Sequence, residues 1–286
     1  MMKKIISIIL IMCLSFSLTA CSGEPDTSGN NAPVNGNSGD NNESANEGSG
    51  DKNTPAKEET ILLAAAASLK NCMDDEIIPL FEEKNLNVKV EATYDSSGKL
   101  QAQIEEGADV DVFMSAAMKQ MNALNEGGLI KENSIVELLE NKIVLIVPKD
   151  ATNEINSFEE ILKADTIAVG DPESVPAGQY AKEAFENLNM WEDVLGKSSL
   201  GTNVTEVLNW VAESSADAGI VYATDAASNE NVQVVAEAPE GSVSKVIYPV
   251  GIVNTTAKED SAELFVEFLQ SQEVINIFEK YGFSAN

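Results

Sequence analysis

Four places in this sequence pair a helix start with small, uncharged residues able to donate hydrogen bonds. Ser68 follows an apolar run; Ser96, Ser97 and Gly98 follow Thr93; Pro176, Ala177 and Gly178 follow Val169-Gly170-Asp171-Pro172; Thr202 and Asn203 precede Val204. At a helix start the first amides lack intrahelical partners, and the macrodipole adds a partial positive charge. Pro176 suits a first helical position, which would leave the Ala177 and Gly178 amides bare at an anion-binding end. Tyr222, closing the run Gly219-Ile220-Val221-Tyr222, offers a phenol as a further donor. A fully ionised oxyanion carries only acceptors, so a host built of such donors would suit it without a buried counter-ion. Each feature alone has a plainer reading. Ser, Thr and Asn are good helix caps, worth on the order of 1 kcal/mol, and a tyrosine such as Tyr222 also packs well at a strand end with its hydroxyl in water.

The composition narrows the chemistry. The 286 residues carry 18 Lys+Arg against 47 Asp+Glu, a formal net charge of −29, and all the basic residues are lysines. So acidic a chain repels nucleic acid and anionic headgroups. Without histidine or arginine there is no histidine base or metal ligand, and no guanidinium clamp on an anion. A hydrolase using serine or carboxylates is disfavoured, since no histidine stands ready to activate a serine. Asp109 and Asp111 are expected to be a solvated strand entry rather than a carboxylate dyad. Asp171, at Gly-Asp-Pro, is expected to form a turn. No carboxylate acceptor of the kind a protonated phosphate needs stands obviously at the four junctions.

These residues must be positioned by alternating strands and helices. Strands are expected at 61–67, 88–93, 111–114, 142–147, 166–169, 218–222, 232–235 and 246–253, the last interrupted by Pro249. Helices are expected around Leu69, Met73, Ile77 and Leu80, around Leu100 and Ile104, and at 117–124, 158–162, 180–188, 204–211, 262–270 and 273–281. This order predicts an α/β fold of two lobes, each a mostly parallel sheet with helices on both faces. The strands near 142–148 and 246–253 are the expected crossings. That gives lobe 1 about 58–141 and 249–286, and lobe 2 about 142–248. Open α/β sheets bind ligands beyond the carboxyl ends of their strands, where all four junctions fall.

Residues 1–20 read as a signal peptide: Lys3 and Lys4, then an apolar stretch, then Leu18-Thr19-Ala20-Cys21. That last pattern resembles the bacterial lipobox, which makes Cys21 the expected lipidation site and the protein an exported, membrane-tethered one. Residues 22–57 are rich in Ser, Gly, Asn, Asp and Glu and are expected to form a disordered tether with a reach of roughly 30–35 Å. Cys72 is then the only free thiol, expected in the core on its helix.

The stretches Ala64-Ala65-Ala66-Ala67-Ser68-Leu69, Tyr94-Asp95-Ser96-Ser97-Gly98-Lys99-Leu100, Val169-Gly170-Asp171-Pro172 with Val175-Pro176-Ala177-Gly178, and Gly219-Ile220-Val221-Tyr222 resemble the molybdate-binding proteins of bacterial ABC importers. Residues 108–116, Tyr248-Pro249-Val250 and Tyr281-Gly282-Phe283 are similar too, and the resemblance runs collinearly over about 60–284. It implies a type II periplasmic-binding-protein fold with the oxyanion in the cleft between two lobes. It also implies ligand binding by Ser68 and Ser97 through hydroxyl and amide, by the Ala177 and Val204 amides, and by the Tyr222 phenol. Family members often carry a third serine where this chain has Gly98, and the Val204 segment matches in spacing more than in letters. The implied role is a monomeric, lipid-anchored, non-enzymatic receptor that passes molybdate, and tungstate with it, to a membrane permease. No cofactor is implied, and the only metal is the molybdenum of bound molybdate. A receptor for another oxyanion, such as sulfate, phosphate or phosphonate, shares the fold and remains the alternative.

Overall fold

The computed structural model describes residues 58–152 and 154–286; the leader, Cys21 and the tether lie outside them. Strand β1 (Glu59–Ala66) runs into a continuous helical stretch: a 3₁₀ turn (Ala67–Leu69), α1 (Lys70–Cys72), a π segment (Met73–Ile77) and α2 (Ile78–Lys84). Its buried residues are Leu69, Cys72, Met73, Ile77 and Phe81, whereas Leu80 is only half-buried. The π segment widens the turn, so a repeat of four stays in phase and Phe81 takes the place expected for Leu80. Next come β2 (Val88–Asp95), α3 (Ser97–Glu105), β3 (Val112–Met114), α4 (Met118–Glu126) and β4 (Val136–Asn141).

β5 (Ile143–Pro148) opens the second series, followed by a 3₁₀ stretch at Phe158–Lys163 where an α-helix was expected. Then follow β6 (Ile167–Gly170), α5 (Pro176–Asn187), α6 (Trp191–Leu195), β7 (Ser198–Gly201), α7 (Val204–Ala212), β8 (Ala218–Tyr222), α8 (Ala223–Ala227) and β9 (Val232–Glu237). The chain closes with β10 (Val246–Ile252), α9 (Glu259–Leu269), α10 (Gln272–Lys280) and β11 (Ser284–Ala285).

The strands form two sheets, ordered β11-β4-β10-β3-β1-β2 and β7-β6-β8-β5-β9. In the first, β2, β1 and β3 are parallel while β10 runs antiparallel to β3 and β4; in the second, β7, β6 and β8 are parallel while β5 runs antiparallel to β8 and β9. The sheets are therefore mixed rather than mostly parallel. The chain enters each sheet by βαβ units and then changes lobe, and the strand that arrives from the other lobe points the opposite way. β4 and β5 lie in different sheets and are joined at Lys142, and the return passes between Glu237 and Val246, with β10 wholly in the first sheet. Pro249 sits at a register shift between Tyr248 and Pro249, where a missing N–H is tolerated.

Both sheets are covered by helices, and apolar runs such as Ile143–Pro148 and Ala218–Tyr222 are buried almost throughout. Tyr222 of the second sheet stacks edge-on against Tyr248 of the first at 5.4 Å, and Tyr248 against Phe283 at 5.2 Å. The Asn141 amide, beside the crossing, donates to Thr224 Oγ1 and Tyr248 Oη. Asp111 is not a solvated strand entry. It is fully buried, accepting from the Leu62 amide, Thr256 Oγ1 and Lys258 Nζ, and so ties β1 to the turn after β10. Asp109 is exposed and forms no dyad with it.

Candidate functional site

The carboxyl ends of β1, β2, β6, β7 and β8 lead into helical starts whose cap or first residues line one cavity. Ser68 sits in the 3₁₀ turn after β1. Ser96 is the residue before α3 and Ser97 its first. Val175 precedes α5 in extended backbone, Pro176 opens the helix, and no side chain caps it. The Ala177 and Gly178 amides thus stand at a helix start with no intrahelical acceptor in reach. Val204 opens α7 after Asn203, whose Oδ1 accepts from the Glu206 amide; that cap spares the Val204 amide. Tyr222 ends β8.

Two glycines allow this approach. Gly178 packs on the end of β6 so closely that a Cβ there would lie 1.9 Å from the Gly170 carbonyl oxygen. The start of α5, and with it the Ala177 amide, is fixed by that backbone contact. Gly98 does the same between lobes, with Ser174 as its neighbour.

Ser68, Ser97, Ala177, Val204 and Tyr222 all line one small cavity of about 10 Å³, together with Ala66, Ala67, Asp95, Ser96, Ala116, Val175 and Pro176. The sequence-based set is thus brought together in space. The lobes meet directly around it. The Gly98 N–H donates to Ser174 O at 2.9 Å, Tyr222 Oη donates to Ala116 O at 3.2 Å, and Gln120 Nε2 donates to Gln179 Oε1 at 3.1 Å.

The hydroxyls differ in their partners. Ser68 Oγ shares a 2.9 Å hydrogen bond with Tyr248 Oη, and Ser97 Oγ accepts from the Ala116 amide at 3.0 Å, which leaves its own proton to donate. Burial holds the Tyr222 phenol well above its ordinary pKa, so it stays protonated and serves only as a neutral group. No lysine lines this cavity, so what it offers an anion is hydroxyls, backbone amides and helix starts.

Two carboxylates belong to the description that sequence reasoning did not include. Asp95 lines the cavity, accepting from the Ser96 amide at 2.7 Å and from Lys99 Nζ at 3.2 Å. Its position directly before Ser96 was the available signal, for an Asp at that point is well placed to take the amide at a helix start. Asp225 is buried in the short α8, lining a neighbouring cavity of about 80 Å³ that also touches Ser68. Desolvation raises its pKa from 3.8 to about 7, and its Oδ2 has no hydrogen-bond partner among the described residues. Cys72 is buried, donates to Leu69 O at 3.1 Å, and has its thiol pKa pushed up by burial, which makes it inert core. No group of three or more His, Cys, Asp or Glu able to hold a metal ion occurs among the described residues.

Two mixed α/β lobes, crossed twice by the chain and closing helix starts around a buried cavity, define a type II periplasmic-binding-protein fold. The model of the bacterial extracellular solute-binding protein family matches residues 61–284, and the chain belongs to that family. It is 41% identical over 229 residues to YvgL of Bacillus subtilis, provisionally named an ABC transporter substrate-binding lipoprotein, covering 80% of this chain and 88% of that one. It is 38% identical over 239 residues to the molybdate-binding protein ModA of Escherichia coli, covering 80% and 90%. Among solved structures, the substrate-binding domain of a provisionally named molybdenum ABC transporter from Clostridium difficile superposes with a TM-score of 0.62 at 38% identity, covering 79% of this chain and 98% of that one.

Proposed function

We propose that this protein is the extracytoplasmic receptor of an ABC importer, binding molybdate and, by the same chemistry, tungstate, for delivery to a membrane permease. The observation that carries the reading is the convergence of Ser68, Ser97, Ala177, Val204 and Tyr222 on one small cavity that no lysine lines. Such a site offers donors to a proton-free dianion and disperses its charge over neutral dipoles. Relatives named for molybdate binding support the choice of anion. Sulfate has the same charge and shape class, so selection between them rests on cavity size. Molybdate and tungstate are nearly equal in size and are expected to bind alike. Closure of the lobes on the anion is the state a permease would read. The protein acts as a monomer, is no enzyme, needs no cofactor, and is held to the membrane by a lipid on Cys21.

Asp95 at the cavity and Asp225 behind it give a second reading, since a protonated phosphate needs a carboxylate acceptor. Asp95 is already engaged by the Ser96 amide and Lys99, which favours the first. Thermal shifts with molybdate, tungstate, sulfate and phosphate at equal concentration separate the two. Large, equal shifts with molybdate and tungstate support the molybdate reading; a phosphate or sulfate shift as large as molybdate's removes it. Intact-mass analysis of the membrane-extracted protein tests the anchor: an unmodified Cys21 excludes it.

A further inference from the structure

One hydroxyl at the cavity is unaccounted for by the five donors. Ser96 lines the same cavity, is 3% exposed, and its Oγ has no hydrogen-bond partner among the described residues. Its neighbours differ in this respect. Ser68 pairs with Tyr248, Ser97 accepts from the Ala116 amide, and Tyr222 donates to the Ala116 carbonyl. Nor does the ordinary reason for a serine at this position apply. Ser96 stands where a capping side chain would sit, yet its side chain makes no cap hydrogen bond to α3. Its backbone is held independently, by its amide to Asp95 Oδ1 and by its carbonyl from the Leu100 amide. A buried hydroxyl with neither cap, acceptor nor water access is unfavourable unless something else completes it.

We infer that Ser96 is a further anion-binding residue, its hydroxyl proton completed by an oxygen of the oxyanion; this rests on the oxyanion reading of the cavity. It places two consecutive hydroxyls, Ser96 and Ser97, beside the first amides of α3. A proton-free anion can accept from all of them, because none of its oxygens needs an acceptor in return. A hydroxyl to an ionised acceptor is among the stronger kinds of hydrogen bond, so losing this one is expected to be felt in affinity.

Calorimetric titration of the purified protein with molybdate, for the wild type, Ser96→Ala and Ser96→Cys, tests the inference. Ser96→Ala is expected to raise Kd by about tenfold to a hundredfold. Its melting temperature before anion is added is expected to stay within about 2 °C of wild type, because no cap is lost. Ser96→Cys, a near-isostere with a weak donor, is expected to fall between them, and it carries the test if the alanine variant does not fold. A Kd for Ser96→Ala within about twofold of wild type overturns the inference. So does a melting temperature that falls in step with affinity, which would mark a structural role. A wild type that binds none of molybdate, tungstate, sulfate and phosphate removes the oxyanion reading itself, and the inference with it.

Discussion

The Gly98 N–H of the first lobe donates to the Ser174 carbonyl of the second at 2.9 Å, and a Cβ on residue 98 would lie 2.4 Å from that oxygen. No real Cβ tolerates that separation from backbone, so a side chain at 98 must hold the lobes apart. Gly98→Val is expected to weaken anion binding by at least about tenfold while leaving the melting temperature of the anion-free protein nearly unchanged. The penalty falls on the closed arrangement and spares each lobe. Molybdate titration beside a melting curve checks it; unchanged affinity would show that the loop moves aside at little cost.

Gly178 serves the site from within the second lobe. A Cβ there would meet the Gly170 carbonyl at 1.9 Å, and neither partner is a flexible side chain. Gly178→Ala is expected to cost about 2–4 kcal/mol of stability by pushing α5 off β6, and to weaken binding further by moving the Ala177 amide. Denaturant unfolding gives the first and titration the second. A variant with wild-type values in both would contradict the role given to this contact.

Much of this was legible in the sequence, and the reasons differ by element. Apolar runs such as 143–147 and 218–222 announce buried strands, and the periodic Val204, Val207, Leu208 and Val211 announce a helix. The junctions at Ser68, Ser96–Gly98, Pro176–Gly178 and Thr202-Asn203 were legible because a helix start marked by small donors is a local pattern, whereas the choice of Ser97, Ala177 and Val204 within them came from the family resemblance. β4 was missed because Val136-Glu-Leu-Leu-Glu-Asn is made of helix formers and becomes a strand only by pairing with β10. β7 was missed because Ser198-Ser-Leu-Gly has no β-branched residue and lies at a sheet edge. The burial of Asp111 was invisible because its partners Thr256 and Lys258 lie about half the chain away in sequence. The loss of the Leu80 phase required a π segment, which no simple periodicity shows.

Asp111 is buried with its lysine, Lys258, only partly covered. Asp111→Ala leaves the Leu62 amide and the Lys258 ammonium without their acceptor, and is expected to cost about 3–5 kcal/mol, or roughly 10 °C in melting temperature. Asp109→Ala, at an exposed neighbour, is expected to change stability by less than about 0.5 kcal/mol. Equal effects from the two variants would restore the view of both as solvated.

Asp225 sets a pH dependence. Burial raises its pKa from 3.8 to about 7, so between those values the folded chain keeps a proton that the unfolded chain has lost. Its contribution to stability is therefore full below about pH 4, declines as pH rises toward about 7, and is flat beyond. The span corresponds to at most roughly 4 kcal/mol. Asp225→Asn is expected to remove this slope, melting higher than wild type near pH 8 and equally near pH 4. A wild type and variant with parallel melting profiles across that range would show that Asp225 is ionised throughout.

One anion is expected where the Ser68 and Ser97 hydroxyls of one lobe meet the Ala177 and Val204 amides of the other, beside Tyr222. A crystal grown with molybdate, with diffraction collected at the molybdenum absorption edge, locates the metal without reference to the protein coordinates. The expected result is a single strong anomalous peak in the cavity, with oxygens in hydrogen-bond reach of the Ser68 and Ser97 hydroxyls and the Ala177 and Val204 amides. A peak elsewhere, or no peak there with sulfate retained in its place, would contradict it.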